Sequence, residues 1–242
     1  MLEEKTTKKQ NFLAGAAVLS LATMIVKVIG MFFKIPLSRL IGEANYGYFT
    51  TAYDIYTVLL MISTTGLPVA VSRMISQAQA LDNYAQIRKI YSVSMKVFLT
   101  IGVVGTLIML VFCRQLSVMV TTNENSWAAI AALAPCVLLI CLVSAYRGFF
   151  QGQSNMTPTS VSQIFEAVTR LVVGLGLAWL VMKLTGKAYV RMQGIVLAPG
   201  ETAQDYGDIT LAAGGAILGV TLGSLISVVY LHHKFRQSNQ IL

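Results

Sequence analysis

Charge is what this chain has least of. Asp, Glu, Lys and Arg supply 12% of its 242 residues, against about 25% in a soluble domain, whose surface needs them to stay dissolved. With 55% hydrophobic residues and a mean hydropathy of +0.68, the composition excludes a water-soluble globular fold. Acids are scarcer than bases, 10 against 18, for a formal charge of +8. No basic patch interleaved with aromatics accompanies that excess, which argues against nucleic acid as a partner. The bases gather at the ends of apolar stretches, where lipid phosphates and membrane orientation account for them.

Metal-ligating residues are few as well. Cys113, Cys136 and Cys141 fall in apolar stretches without ligand spacing, and the adjacent His232 and His233 point in different directions on a helix. Neither metal nor cofactor is expected. No phosphate-cradling glycine loop, zinc motif or serine nucleophile elbow is present. A membrane-embedded glycosyltransferase would place a carboxylate or histidine at an interface, whereas the candidate acids here lie inside apolar stretches.

What the chain does have is six long apolar stretches, at residues 12–33, 46–72, 91–113, 127–147, 158–182 and 210–233. Each reaches the roughly 20 residues that cross about 30 Å of hydrocarbon at 1.5 Å per residue. The expected fold is all-α: a polytopic membrane protein whose residues 1–242 form a single six-helix transmembrane bundle. The first stretch is too long for a signal peptide's core and lacks a small-residue cleavage site, so it is expected to remain as a helix. With the amino end inside, ten basic residues lie on the cytoplasmic side (Lys5, Lys8, Lys9, Arg73, Arg88, Lys89, Lys96, Arg147, Lys234, Arg236) and six outside (Lys34, Arg39, Arg114, Lys183, Lys187, Arg191). Both termini are therefore expected to be cytoplasmic.

Residues 82–90 read as a cytoplasmic turn, 121–126 as an outer turn, and 183–208 as an exposed outer loop. Pro36 is expected to end or kink the first helix, and Gly66-Leu67-Pro68 to interrupt the second. Gly215, Gly219 and Gly223, four apart, offer a bare face for a neighbouring helix. Gly148 and Gly152 share that spacing but adjoin a turn, and read as turn or cap residues. Thr157 reads as a helix cap, with Pro158 at the first helical position.

Only Lys27, Asp54, Glu166 and Arg170 are charged well inside the apolar stretches. A charge at the bilayer centre costs about 2.5–3.5 kcal/mol or more, so these residues are expected to face a polar interior, which points to a transporter. On the first helix Ser20, Thr23, Lys27 and Lys34 share a stripe; on the fifth, Thr159, Gln163, Glu166 and Arg170 do. Glu166 can pair with Arg170 one turn on, either as part of a cavity or as a self-neutralised structural bridge. Helix rise places Lys27 roughly 10 Å and Asp54 roughly 12 Å below the outer ends of their helices, so the two can meet, as a gate or as a plain structural pair. Tyr46 and Tyr48 suit an interfacial aromatic belt, while Tyr53 and Tyr56 lie deeper and can line a cavity.

Two strings carry a family resemblance: VKVIGMFFKIPLSRLIGEANYGYFTTAYDIYTVLLMISTTGLPVAVSRMISQ and, from Arg147 onward, RGFFQGQSNMTPTSVSQIFEAVTRLVVG. They resemble the polysaccharide-biosynthesis branch of the multidrug/oligosaccharidyl-lipid/polysaccharide exporter superfamily, with the closest look to stage V sporulation protein B-like and lipid II flippase-like proteins. The resemblance implies two six-helix lobes around a cavity that opens alternately to each side, of which this chain matches the amino-terminal one. It implies export of a lipid-linked oligosaccharide or peptidoglycan precursor across the bacterial cytoplasmic membrane, with a lipid-linked glycan diphosphate as substrate. It also implies that Lys27, in VKVIG, lines the cavity; Lys34 stands one residue off the family spacing.

On that basis Lys27, Lys34 and Arg170 are candidate substrate contacts, and Asp54, Glu166, Gln163, Thr23 and Arg147 candidate cavity or gating residues. Alternating access needs a second lobe, so the chain is expected to be a fragment or to pair with another lobe or copy, among membrane lipids. A multidrug or cation antiporter using Asp54 or Glu166 is the alternative function, and an envelope scaffold a more distant one. Single-cysteine labelling in a Cys-free background is predicted to mark the loop at residues 183–208 from outside; labelling only from inside would reverse the topology.

Overall fold

The computed structural model describes residues 12–41, 50, 53, 54, 57, 58, 61, 66–121, 127–193 and 209–239. Among these residues every regular element is helical. Helix α1 is Phe12–Ile41, α2 Leu67–Ala80, α3 Tyr84–Val111, α4 Cys113–Thr121, α5 Trp127–Gly152, α6 Thr157–Thr169, a π segment Arg170–Gly174, α7 Leu175–Gln193 and α8 Ile209–Asn239. Residues 50, 53, 54, 57, 58 and 61 are helical too. Among the described residues five helices are long and apolar enough to cross a membrane: Ala14–Leu40, Tyr84–Val111, Ile130–Gly152, Thr157–Gly186 and Leu211–Gln237. The chain is a multi-pass membrane protein. Most of the expected span 46–72, with Tyr46, Tyr48 and Tyr56, lies outside the described residues, as do residues 122–126 and 194–208.

Several local expectations are corrected. Of the two outcomes expected at Pro36, an end or a kink, the helix does not end there: α1 continues past residue 33 and through the proline to Ile41. Proline there removes one amide donor and leaves the turns on either side to carry the helix. The turn after α2 is shorter than residues 82–90, because the Asn83 side chain accepts from the Gln86 amide at 3.0 Å and starts α3 at Tyr84. Asp82 takes a left-handed φ of 50° in that turn, a conformation its short polar side chain tolerates. Met156, not Thr157, is the N-cap of α6, and Pro158 lies within its first turn. Residues 183–193, the first part of the expected outer loop, are helical.

Burial shows which helices are central. Within their apolar spans 61% of α5 and 56% of α8 is buried, against 11% of α1 and 22% of α3. Helix α5 serves two apolar cores. At one end Leu133, Val137 and Ile140 meet Phe33 and Leu37 of α1, Met109 of α3 and Ile217 of α8. At the other, Phe149 and Phe150 meet Val71 and Ile75 of α2, Phe98 of α3 and Leu231 of α8. Pro135 interrupts the amide ladder of α5. Hydroxyls of Thr106 on α3 and Thr221 on α8 donate to the Ala134 and Ala132 carbonyls beside the break, at 3.1 and 3.3 Å.

Small residues set the closest approaches. Gly148 and Gly152 are not turn residues. Gly148 lies inside α5 and Gly152 is its last residue, and both face α2, where a Cβ on Gly152 would stand 2.7 Å from the Ile75 Cβ and 2.9 Å from the Ser72 carbonyl oxygen. Ser76 seals the contact by donating to the Gly152 carbonyl at 2.8 Å. The Gly215, Gly219 and Gly223 face of α8 packs on the fifth span, Gly219 directly against Gly174 and Gly223 over the Glu166 carbonyl. Gly152→Ala is predicted to lower stability in detergent by about 1–3 kcal/mol through overpacking. Gly176→Ala, with nothing within 4 Å of its would-be Cβ, should unfold at or slightly above the wild-type temperature in the same thermal scan.

Candidate functional site

The polar centre of the bundle is the Glu166 carboxylate. From α6 it reaches the Arg147 guanidinium of α5 through Oε2 at 3.1 Å and the Arg170 guanidinium, four residues on, through Oε1 at 3.2 Å. All three side chains are between 13% and 19% exposed, so the charges are held largely away from water and depend on one another. The pairing of Glu166 with Arg170 follows from their spacing. The pairing with Arg147 crosses between helices.

Arg147 also donates to two serines. Its Nε donates to Ser162 Oγ at 3.3 Å and an Nη to Ser227 Oγ at 3.5 Å. Ser162 in turn donates to the Thr159 carbonyl at 2.7 Å, and Ser227 to the Ser162 carbonyl at 3.4 Å. Ser227 continues the small-residue face of α8 one turn beyond Gly223, so the packing that brings α8 onto α6 also brings a hydroxyl to Arg147.

Arg170 opens the π segment, whose wider turn displaces side chains around the helix axis and is common at functional sites. Its Nη1 donates to the Tyr53 hydroxyl at 3.1 Å. The Tyr53 ring has the Arg170 Cζ at 5.8 Å and the Lys34 Nζ at 5.7 Å from its centroid, so two cations from different helices converge on one aromatic face system. Counting Lys34, Arg147 and Arg170 against Glu166, the described residues of the cluster are three cations and one carboxylate. An anion fits that imbalance.

The other candidates stand apart. Lys27 is exposed on α1 and Asp54 is exposed, and no ion pair joins them. Thr23 is exposed and returns its hydroxyl to the Leu19 carbonyl at 2.8 Å. Gln163 is half-buried on α6, which packs against α1. Among the described residues no group of three or more His, Cys, Asp or Glu side chains stands close enough to hold a metal. Cys136 meets Ser224 Oγ at 3.4 Å, and His232 Nδ1 meets the Tyr146 hydroxyl at 2.8 Å.

Sequence reasoning leaves out Ser162, Ser227 and the contact of Tyr53 with both cations. One signal for the first was available. Gly152 and Thr157 bound a short turn between antiparallel helices, so Arg147, five residues before it, comes level with Ser162, five after it, and Glu166 follows one turn deeper.

A family model described as polysaccharide biosynthesis protein matches residues 12–242. Stage V sporulation protein B of Bacillus subtilis (strain 168) is 28% identical over 233 residues, 96% of this chain and 40% of that protein. Lipid II flippase MurJ of the same organism is 28% identical over 232 residues, covering 93% of this chain and 40% of its own length. The uncharacterized membrane protein YabM, also from that organism, is 27% identical over 93% of this chain and 38% of its length. No solved structure matches the chain. The chain thus spans about two fifths of the length of the curated relatives it matches. With the match running from the start of α1 through α8, the chain belongs to the polysaccharide biosynthesis protein family.

Proposed function

We propose that the chain is the amino-terminal lobe of a flippase that exports a lipid-linked, anionic glycan precursor across the cytoplasmic membrane by alternating access. Lys34 and Arg170 engage the diphosphate. The observation that carries this reading is their convergence on Tyr53, in a cluster whose described residues are three cations and one carboxylate. In low-dielectric surroundings such an excess attracts a diphosphate far more strongly than it would in water. The names of two relatives, a lipid II flippase and a sporulation protein, agree with a polyprenyl-linked cell-wall or spore-wall precursor.

Lys27 lies two turns from Lys34 along α1, about 10.5 Å by helix rise, and serves as a second contact for the same extended anion. Exposed Asp54 and Thr23, with Gln163, border the path. Glu166 and Arg147 act as the counter-charge and its anchor: an arriving diphosphate draws Arg170 away while Glu166 stays bound to Arg147. A second lobe, or a second copy, supplies the opposite wall. A cation antiporter is the weaker reading, because Glu166 already has two guanidinium partners and needs neither a proton nor a metal cation for balance.

Binding of a polyprenyl diphosphate sugar to the purified chain, followed by fluorescence, is predicted to weaken about tenfold or more in Lys34→Gln and in Arg170→Gln, the loss of one charge-assisted contact each. In proteoliposomes holding the chain with its second lobe, both variants should lose flipping of that lipid. Unchanged binding in both would remove the assignment, and transport of cationic drugs without transport of the sugar lipid would favour the antiporter.

Glu166→Gln is predicted to destabilise the fold by about 3–5 kcal/mol, since it strands two largely buried guanidiniums. Combining it with Arg147→Met, which removes one of the two stranded guanidiniums, should restore about half of that loss in the same unfolding measurement.

A further inference from the structure

Away from the Glu166 cluster, the turn joining α2 to α3 borders a groove of about 660 Å³, whose lining includes Met74 of α2 and Asn83, Gln86, Lys89, Val93 and Ser94 at the start of α3. The groove grades from polar to apolar along the helix. Asn83, Gln86 and Lys89 occupy the end next to the turn, and Val93, Met74 and Ser94 the end further in. Helix α3 has 28 residues, so it rises about 42 Å, more than the roughly 30 Å of hydrocarbon. Its first turns therefore stand at headgroup depth, and residues near 94 reach the acyl boundary.

Two features of the groove ask for a ligand. Ser94 is only 7% exposed, its side chain lines the groove, and it makes no hydrogen bond within the structure. The hydroxyl is not sealed inside the protein but opens to the groove, where a ligand oxygen can accept from it. The first turn of α3 carries no acidic residue, so its amide groups and Lys89 make the outer end of the groove positive. Arg73 and Arg88 are exposed nearby and add to that field, while Asp82, on the turn, is not part of the lining.

We propose that this groove binds the headgroup of an anionic glycerophospholipid. Lys89 takes the phosphate, Asn83 and Gln86 hydrogen-bond the headgroup hydroxyls, Ser94 donates to an ester carbonyl, and an acyl chain runs over Val93 and Met74. Lys89 and Ser94 are five residues apart, about 7.5 Å along the axis, on the order of the distance between a glycerophospholipid's phosphate and its ester groups. The site is independent of the substrate path and stands whether or not the export reading does.

Native mass spectrometry of the intact chain, released from micelles containing equal amounts of phosphatidylglycerol and phosphatidylcholine, tests it. Wild type should retain phosphatidylglycerol about fivefold over phosphatidylcholine, the preference expected of one lysine at headgroup depth. Lys89→Gln should bring the ratio close to one. Arg88→Gln removes the same charge one residue away but outside the groove, and should keep the preference. Ser94→Ala, which leaves packing intact, should weaken retention of both lipids alike. Equal retention of the two lipids by wild type, an unchanged ratio in Lys89→Gln, or the same loss in Arg88→Gln would overturn the proposal. Circular dichroism of each variant verifies that the helices are in place.

Discussion

Three ionised side chains share the interior of this bundle, and the Glu166 carboxylate is the only one of them that can satisfy the other two. An arginine offers five N–H donors in a rigid fork and accepts nothing, so Arg147 and Arg170, both largely buried, need oxygen partners from the protein itself. Glu166 gives one oxygen to each. The serines around Arg147 and the tyrosine beside Arg170 take up further donors without adding charge. The result, among the described residues, is a cluster in which Glu166, Arg147 and Arg170 are each ion-paired and which is still positive, although Arg170 Nε makes no hydrogen bond. That is a sound arrangement for receiving an anion, because binding requires no new charge to be buried without a partner.

The cluster depends on how closely α8 lies against the fifth span. Glycines at 215, 219 and 223 remove the side chains that would hold the two apart, and Gly223 sits over the carbonyl of Glu166 itself. In lipid, where apolar surfaces gain nothing from avoiding one another, this closeness is what gives helices a specific register. The same face ends in Ser227, which delivers a hydroxyl to Arg147. Packing and polar chemistry are therefore consequences of one stripe of small residues. The π segment lies where the approach is tightest, at Gly174 against Gly219, and it is the segment that presents Arg170 to Tyr53.

Helix α1 behaves differently. It packs on the fifth span by one edge, through Phe33 and Leu37, and leaves most of its surface open. Lys27 and Lys34 lie on that open surface, in a chain that spans about two fifths of its curated relatives. Lys34 nonetheless reaches the Tyr53 ring and so joins the α1 surface to the interior cluster. A cationic face of this kind fits the wall of a cavity shared with a second lobe, as the proposed function requires.

Much of the architecture is written in local sequence. Scarcity of charge and the length of the apolar stretches are enough for a helical membrane protein, since backbone groups in hydrocarbon must be satisfied within the helix. Spacing by four gives the Glu166–Arg170 pair and the glycine face of α8, because a helix repeats every 3.6 residues whatever surrounds it. Relations between helices are not encoded that way. That Arg147 shares Glu166, that Gly148 and Gly152 serve α2 instead of a turn, that Lys27 and Asp54 stay apart, and that Lys34 and Arg170 meet at Tyr53 were all decided by tertiary packing. Those contacts depend on the rotation and register of whole helices, which the small residues at their interfaces determine, and periodicity along one strand of sequence carries no information about them.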